Sequence, residues 1–210
     1  MSEAGDKLEE QRFTELFHVK RSVRYHNTRR QFYEWLDRFS TGISLVFGSA
    51  SGAAALSSLP YGTSLAVFSG FFVAIVSAFT LVISAVSNAR VHHELSMKFL
   101  QLELEMTAVP PATTTLEHIR DWIHKRRRID ADEPPTMKAI DVMAHNELIR
   151  SGFSESQDAL VHVKWYHRWF ANWWAFNGTS WEYEVNGKKN GVLKSPDHRP
   201  PVQIQSNPGA

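Results

Sequence analysis

The residues whose types could do chemistry are few and scattered. Asp141 and His145 stand four apart with Asn146 and Glu147 beside them, a spacing that puts a carboxylate and an imidazole on one face of a helix. Such a pair can hold a metal ion or work as acid and base, but a third ligand at diagnostic spacing is lacking, so the pattern equally fits a solvated or capping role. Hence neither a catalytic residue nor a metal site is assigned, and neither an enzyme nor a cofactor is expected. A second group, Arg24, Tyr25, His26, Arg29 and Arg30, gathers basic and aromatic side chains in one short stretch. It suits contact with lipid phosphates or an acidic partner, or a simple positive flank to a membrane span. A third, Trp165, Trp169, Trp173 and Trp174 interleaved with His162, Lys164, His167 and Arg168, suits either a membrane interface or an aromatic core.

These groups flank one stretch that must organise the chain. Residues 39–89 contain no Asp, Glu, Lys, Arg or His, and Pro60-Tyr61-Gly62-Thr63-Ser64 divides them with a turn signal. Spans at 39–59 and 65–86 each reach the roughly 20 residues that cross a bilayer core. The expected fold is an all-α membrane protein: a two-helix transmembrane hairpin with extended cytoplasmic helices and a small cytoplasmic helical bundle. Lys20, Arg21, Arg24, Arg29, Arg30 and Arg38 precede the first span and Arg90 and Lys98 follow the second, which orients both termini to the cytoplasm.

The chain has 210 residues, a formal net charge of +1 and no cysteine. That charge excludes a global nucleic-acid signal, and the missing thiols exclude disulfides and fit a reducing compartment. The first apolar run begins after Arg38, so no cleavable signal peptide is expected and the first span acts as its own insertion signal.

Within the spans, Thr41, Ser44, Gly48, Ser51, Ala55 and Ser58 recur at steps of three and four, with Gly52 completing a small-xxx-small pair. Gly70, Val73, Ser77, Thr80, Ser84 and Ser87 do the same in the second span. These seams suit dry helix packing or, if several copies assemble, the lining of a pore. Nothing in them is ionisable, which argues against proton relays and charged filters.

Outside the spans, residues 1–12 read as a disordered N-terminus and 13–38 as a juxtamembrane helix. A stalk helix over 90–109 continues the apolar spacing, and unbroken helices would make rigid levers into the spans. Pro110-Pro111 should stop the stalk. Residues 110–176 read as helical, with a capping box at Thr114-x-x-Glu117, an apolar face of Leu116, Ile119 and Ile123, a helix over Met137 to Leu148 stopped at Ser151-Gly152, and a last helix from Glu155 to Phe176. Alternation at Trp181, Tyr183 and Val185 with Asn186-Gly187 suggests a short β-hairpin within 177–194, and 195–210 reads as a disordered tail.

Tyr25-His26-Asn27-Thr28-Arg29-Arg30, the small-residue hairpin with Gly48-Ser49, Arg127-Arg128-Ile129-Asp130-Ala131-Asp132-Glu133-Pro134-Pro135 and His145-Asn146-Glu147 together resemble the SLATT-type two-transmembrane domains of bacteria, over about Phe13 to Gly152. The resemblance implies an oligomeric inner-membrane effector of antiviral or conflict systems that breaches the bilayer, triggered by a separate sensor protein or a nucleotide ligand. The other expectation is a non-conducting membrane-anchored scaffold, phage-encoded versions included, that recruits a partner through its tryptophans.

Overall fold

The computed structural model describes residues 3–49, 52, 54, 57–153, 160–185 and 188–193, and it is predominantly helical. Its elements are α1 (Glu3–Gly48), α2 (Gly62–Ile83), α3 (Ala85–Ala108), a 3-10 turn (Pro111–Thr113), α4 (Leu116–Asp130), α5 (Lys138–Leu148), a π turn (Ile149–Phe153), β1 (Leu160–Val161), α6 (Trp165–Phe170), β2 (Trp181–Val185) and β3 (Lys188–Leu193). The chain divides into two compact units, His26–Lys98 and the remainder, Met1–Tyr25 with Phe99–Ala210.

In the unit His26–Lys98, α1 and the α2–α3 pair run antiparallel. Ser44 meets Ser77 and Gly48 meets Val73, while Tyr33, Leu36 and Ala85 share a small core. As the residue number rises on one helix its partner's falls by the same amount, which converges on the Pro60 turn. There the Gly62 N–H donates to the Leu59 carbonyl, and Tyr61 takes a left-handed φ of 64°. The first expected span is only partly described: α1 ends at Gly48, and Ser51 and Ala55 lie outside the described residues. Near the end of the second expected span the lever is broken. Ser84 adopts φ 52° and ψ 50°, and its N–H bonds the carbonyls of Leu81 and Thr80, so α2 and α3 are separate helices. A left-handed serine costs about 1–3 kcal/mol, and the capped carbonyls partly offset that cost.

In the other unit, Leu16, Val19, Phe99, Leu102, Met106, Ile119 and Trp122 form one core. A second joins Tyr25 to Ala139, Ile140, Val142, Ala144, Val161, Ala171 and Trp181. Full burial of a side chain such as Phe99 contributes about 1.5–3 kcal/mol. The N-terminus departs from its expected disorder: α1 begins at Glu3, and the Arg12 guanidinium donates to the carbonyls of Met106 at 3.2 Å and Val109 at 3.1 Å, capping α3. The capping box lies one residue later than the sequence suggested, with Thr115 accepting from the His118 N–H and the His118 ring accepting from the Thr115 N–H. On α4 Leu116 is exposed and Trp122 takes the inward place.

The expected helix from Glu155 to Phe176 is not formed as such. Residues 154–159 lie outside the described residues, β1 follows them, and α6 spans six residues only. The hairpin of β2 and β3 is antiparallel and gains β1 as a third strand, with Val161 opposite Tyr183. Asn146 holds β1 in place, since its amide donates to the Val161 carbonyl at 2.7 Å and accepts from the Val161 N–H at 2.8 Å. The expected tail over 195–210 lies outside the described residues.

Candidate functional site

The helix α2 carries a long exposed apolar surface. Among the described residues, the run Gly62–Ala108 is long and apolar enough to cross a membrane, and none of its most apolar window is buried inside the protein. Phe68, Phe71, Phe72, Ile75, Leu81 and Val82 are all exposed, as are Phe39, Leu45 and Val46 on α1. Water-soluble monomers rarely expose a contiguous apolar patch beyond a few hundred Å².

The two hydroxyl seams meet within one chain. Ser44 and Ser77 share a hydrogen bond at 3.3 Å, and a Cβ at Gly48 would sit 3.8 Å from Val73 Cγ1. Thr80 donates to the Val76 carbonyl one turn back, and Ser84 to the Leu81 carbonyl, so these hydroxyls are satisfied by their own backbone. Thr41, Ser58, Gly70 and Ser87 are exposed, and a Cβ at Gly70 meets nothing within 4 Å. A Cβ at Gly52 would run into the Val46 carbonyl, so that glycine serves its own turn and not a facing helix.

The juxtamembrane group does not stand as the sequence suggested. His26, Tyr25 and Arg29 are buried, at 0%, 4% and 4% exposure, and so do not face lipid. The reason is phase: the inward positions of α1 are Leu16, Val19, His26, Tyr33, Leu36 and Ser40, which alternate at heptad-like steps, and His26 falls on that line. Its ring meets His92 of α3, Nδ1 to Nδ1 at 2.9 Å, so one ring carries a proton on that atom while the other accepts. Tyr33 stacks on His92 with centroids 5.7 Å apart, the Arg29 guanidinium lies 4.7 Å from the Tyr33 ring and donates to its hydroxyl, and Ser96 donates to Asn27 at 2.9 Å. Burial first, then the charges of His26 and Arg29, push the His92 pKa down to about 3. Tyr25 belongs to the other unit, where its hydroxyl accepts from the Met137 N–H at 3.0 Å.

The remaining cations are engaged by carboxylates of the same unit. Arg30 pairs with Glu34 at 2.9 Å and also reaches His93, while Arg24 lies 3.8 Å from Glu147. Asp141 is neither solvated nor capping: it is buried and paired with Arg21 at 3.1 Å. The His145 ring packs edge-on to Phe17, and no cluster of three metal-ligating side chains exists among the described residues.

The tryptophans divide by exposure. Trp165, Trp169 and Trp174 are 72%, 78% and 69% exposed, whereas the core beneath them is His167, Ala171 and Trp181. His167 packs 4.9 Å from Trp181, and burial lowers its pKa, with Lys164 and His162 adding to the shift. The aromatic core is therefore built from the opposite face of α6 to the one the tryptophan spacing marks.

His92, Tyr33 and Ser96 were not singled out by sequence. The heptad-like spacing Leu16, Val19, His26, Tyr33 carries a signal that could have found Tyr33. Compared with protein-family models, curated proteins and solved structures, the chain matches none.

Proposed function

We propose that this protein is an oligomeric inner-membrane effector whose hairpin spans the bilayer twice with both termini cytoplasmic, and that its assembly breaches the membrane when a partner or small ligand acts on the helices outside it. The observation that carries the membrane part is the long apolar run of α2, none of whose most apolar window is buried inside the protein and which a hydrocarbon solvent would cover. Residue pairing between α1 and α2 about the Pro60 turn supports a two-span hairpin. The effector part rests on the motif resemblance to SLATT-type domains.

The Ser44–Ser77 bond favours packed seams at rest, so a breach requires the seams to part between copies. Purified protein reconstituted in liposomes that encapsulate a dye tests this directly. Leakage together with a mass above the monomer in detergent supports the reading; a monomer that leaves liposomes sealed, even with lysate from phage-infected cells added, sinks the breaching function.

A further inference from the structure

From Leu160 to Trp181 the chain contains no Asp or Glu, while it carries His162, Lys164, His167 and Arg168 among five tryptophans. The fold sorts these groups. His167, Ala171 and Trp181 turn inward, and Trp165, Trp169, Phe170, Trp173 and Trp174 are left exposed with Lys164 and Arg168 also at the surface. Trp165 and Trp169 stand one helical turn apart on α6, so their rings share a side.

An indole placed in water wastes a large apolar face, and one placed in a dry core must find a partner for its N–H. The headgroup layer of a bilayer meets both needs, taking the ring among acyl chains while the N–H stays wet. Cations beside the rings add attraction to anionic lipid, and their long stems let the charge stay at the phosphates. A protein groove that took these rings would gain little from two cations without an acidic neighbour of its own.

We propose that the Trp165, Trp169 and Trp174 surface is an interfacial anchor that seats its unit on an anionic lipid surface, a contact separate from the spanning hairpin. The inference rests on the membrane reading of α2 for the presence of a bilayer nearby. Its occupant is lipid, and capture of a protein partner is the competing outcome.

The test uses the full chain carrying Trp35→Phe, because Trp35 is exposed on α1 while Trp122 and Trp181 are buried. It is incorporated into phosphatidylcholine–phosphatidylglycerol vesicles whose acyl chains are brominated near the headgroup, and tryptophan emission is compared with that in unbrominated vesicles after flotation. Strong quenching is expected, falling at least about threefold in the Trp165→Ala, Trp169→Ala, Trp173→Ala, Trp174→Ala variant and by roughly half in Lys164→Glu, Arg168→Glu. A chain that floats but keeps its emission overturns the anchor alone and places the surface against protein or water. A chain that does not float overturns the membrane reading and the anchor with it. Quenching unaltered by the charge reversals overturns the preference for anionic lipid.

Discussion

His92 is the residue whose protonation the fold resists most plainly. Around it stand His26, Arg29, Arg30 and Tyr33 from α1 and His93 and Ser96 from α3, with Glu34 and Glu94 drawn to Arg30 and Arg90. Its folded pKa of about 3 lies below the ordinary 6.5 of an unfolded chain, so the unfolded state binds more protons between those values. Stability is therefore full above about pH 6.5 and falls as the pH drops toward 3. Thermal unfolding followed by circular dichroism should lose about 2 kcal/mol between pH 7.5 and pH 5, and His92→Gln should flatten that slope; an equal slope in the variant removes His92 as its cause. The Arg21–Asp141 pair lies buried in the other unit. Arg21→Ala should cost about 3–5 kcal/mol in denaturant unfolding, while Arg21→Met with Asp141→Leu should restore most of it, as expected when the cost is an orphaned charge.

Among the elements, what could be read from the sequence was whatever a local rule governs. Pro60-Tyr61 turns the chain because proline sets its own φ, Pro110-Pro111 ends α3 because proline lacks a donor, and Gly152 closes the helical run at φ 79°. What escaped was set by partners far along the chain. Residues 3–12 carry acids and little apolar spacing, yet they are helical because Leu8 and Arg12 find α3. Ser84 escaped because serine carries no mark of a left-handed φ. The tryptophan spacing resembled a helix of about six turns, but Asn146 and β2 draw residues 160–161 into a sheet instead. The seams and their dry packing within one hairpin were legible, and Ser44–Ser77 gives the register of that packing. Because Gly48 rests on Val73 of the same chain, Gly48→Leu should overpack the α1–α2 contact and lower the unfolding free energy by about 1–3 kcal/mol. Unchanged stability with altered oligomer mass would put that glycine at a contact between copies.

For the molecule as a whole, one unit is assembled from two sequence segments, Met1–Tyr25 and Phe99–Ala210, that precede and follow the other unit along the chain. Removing residues 1–12 should expose Met106 and Val109 carbonyls and part of the Leu16 core, and hydrogen exchange should rise across Leu102 to Val109 while the Tyr33 to Ala89 core stays protected. Uniform exchange in the truncated chain would show that Arg12 holds nothing in place. The same arrangement fixes an order of events during synthesis. Leu16, Phe17 and Val19 leave the ribosome before their partners Phe99, Ile119, Leu148 and Ile149 exist. At roughly 5–20 residues per second the wait lasts several seconds, in which a sticky helix hangs unpaired while the apolar stretch behind it is threaded elsewhere. The nascent chain is thus most exposed to misassociation before it is complete, and a ribosome stalled near residue 98 would leave that first helix for chaperones to hold.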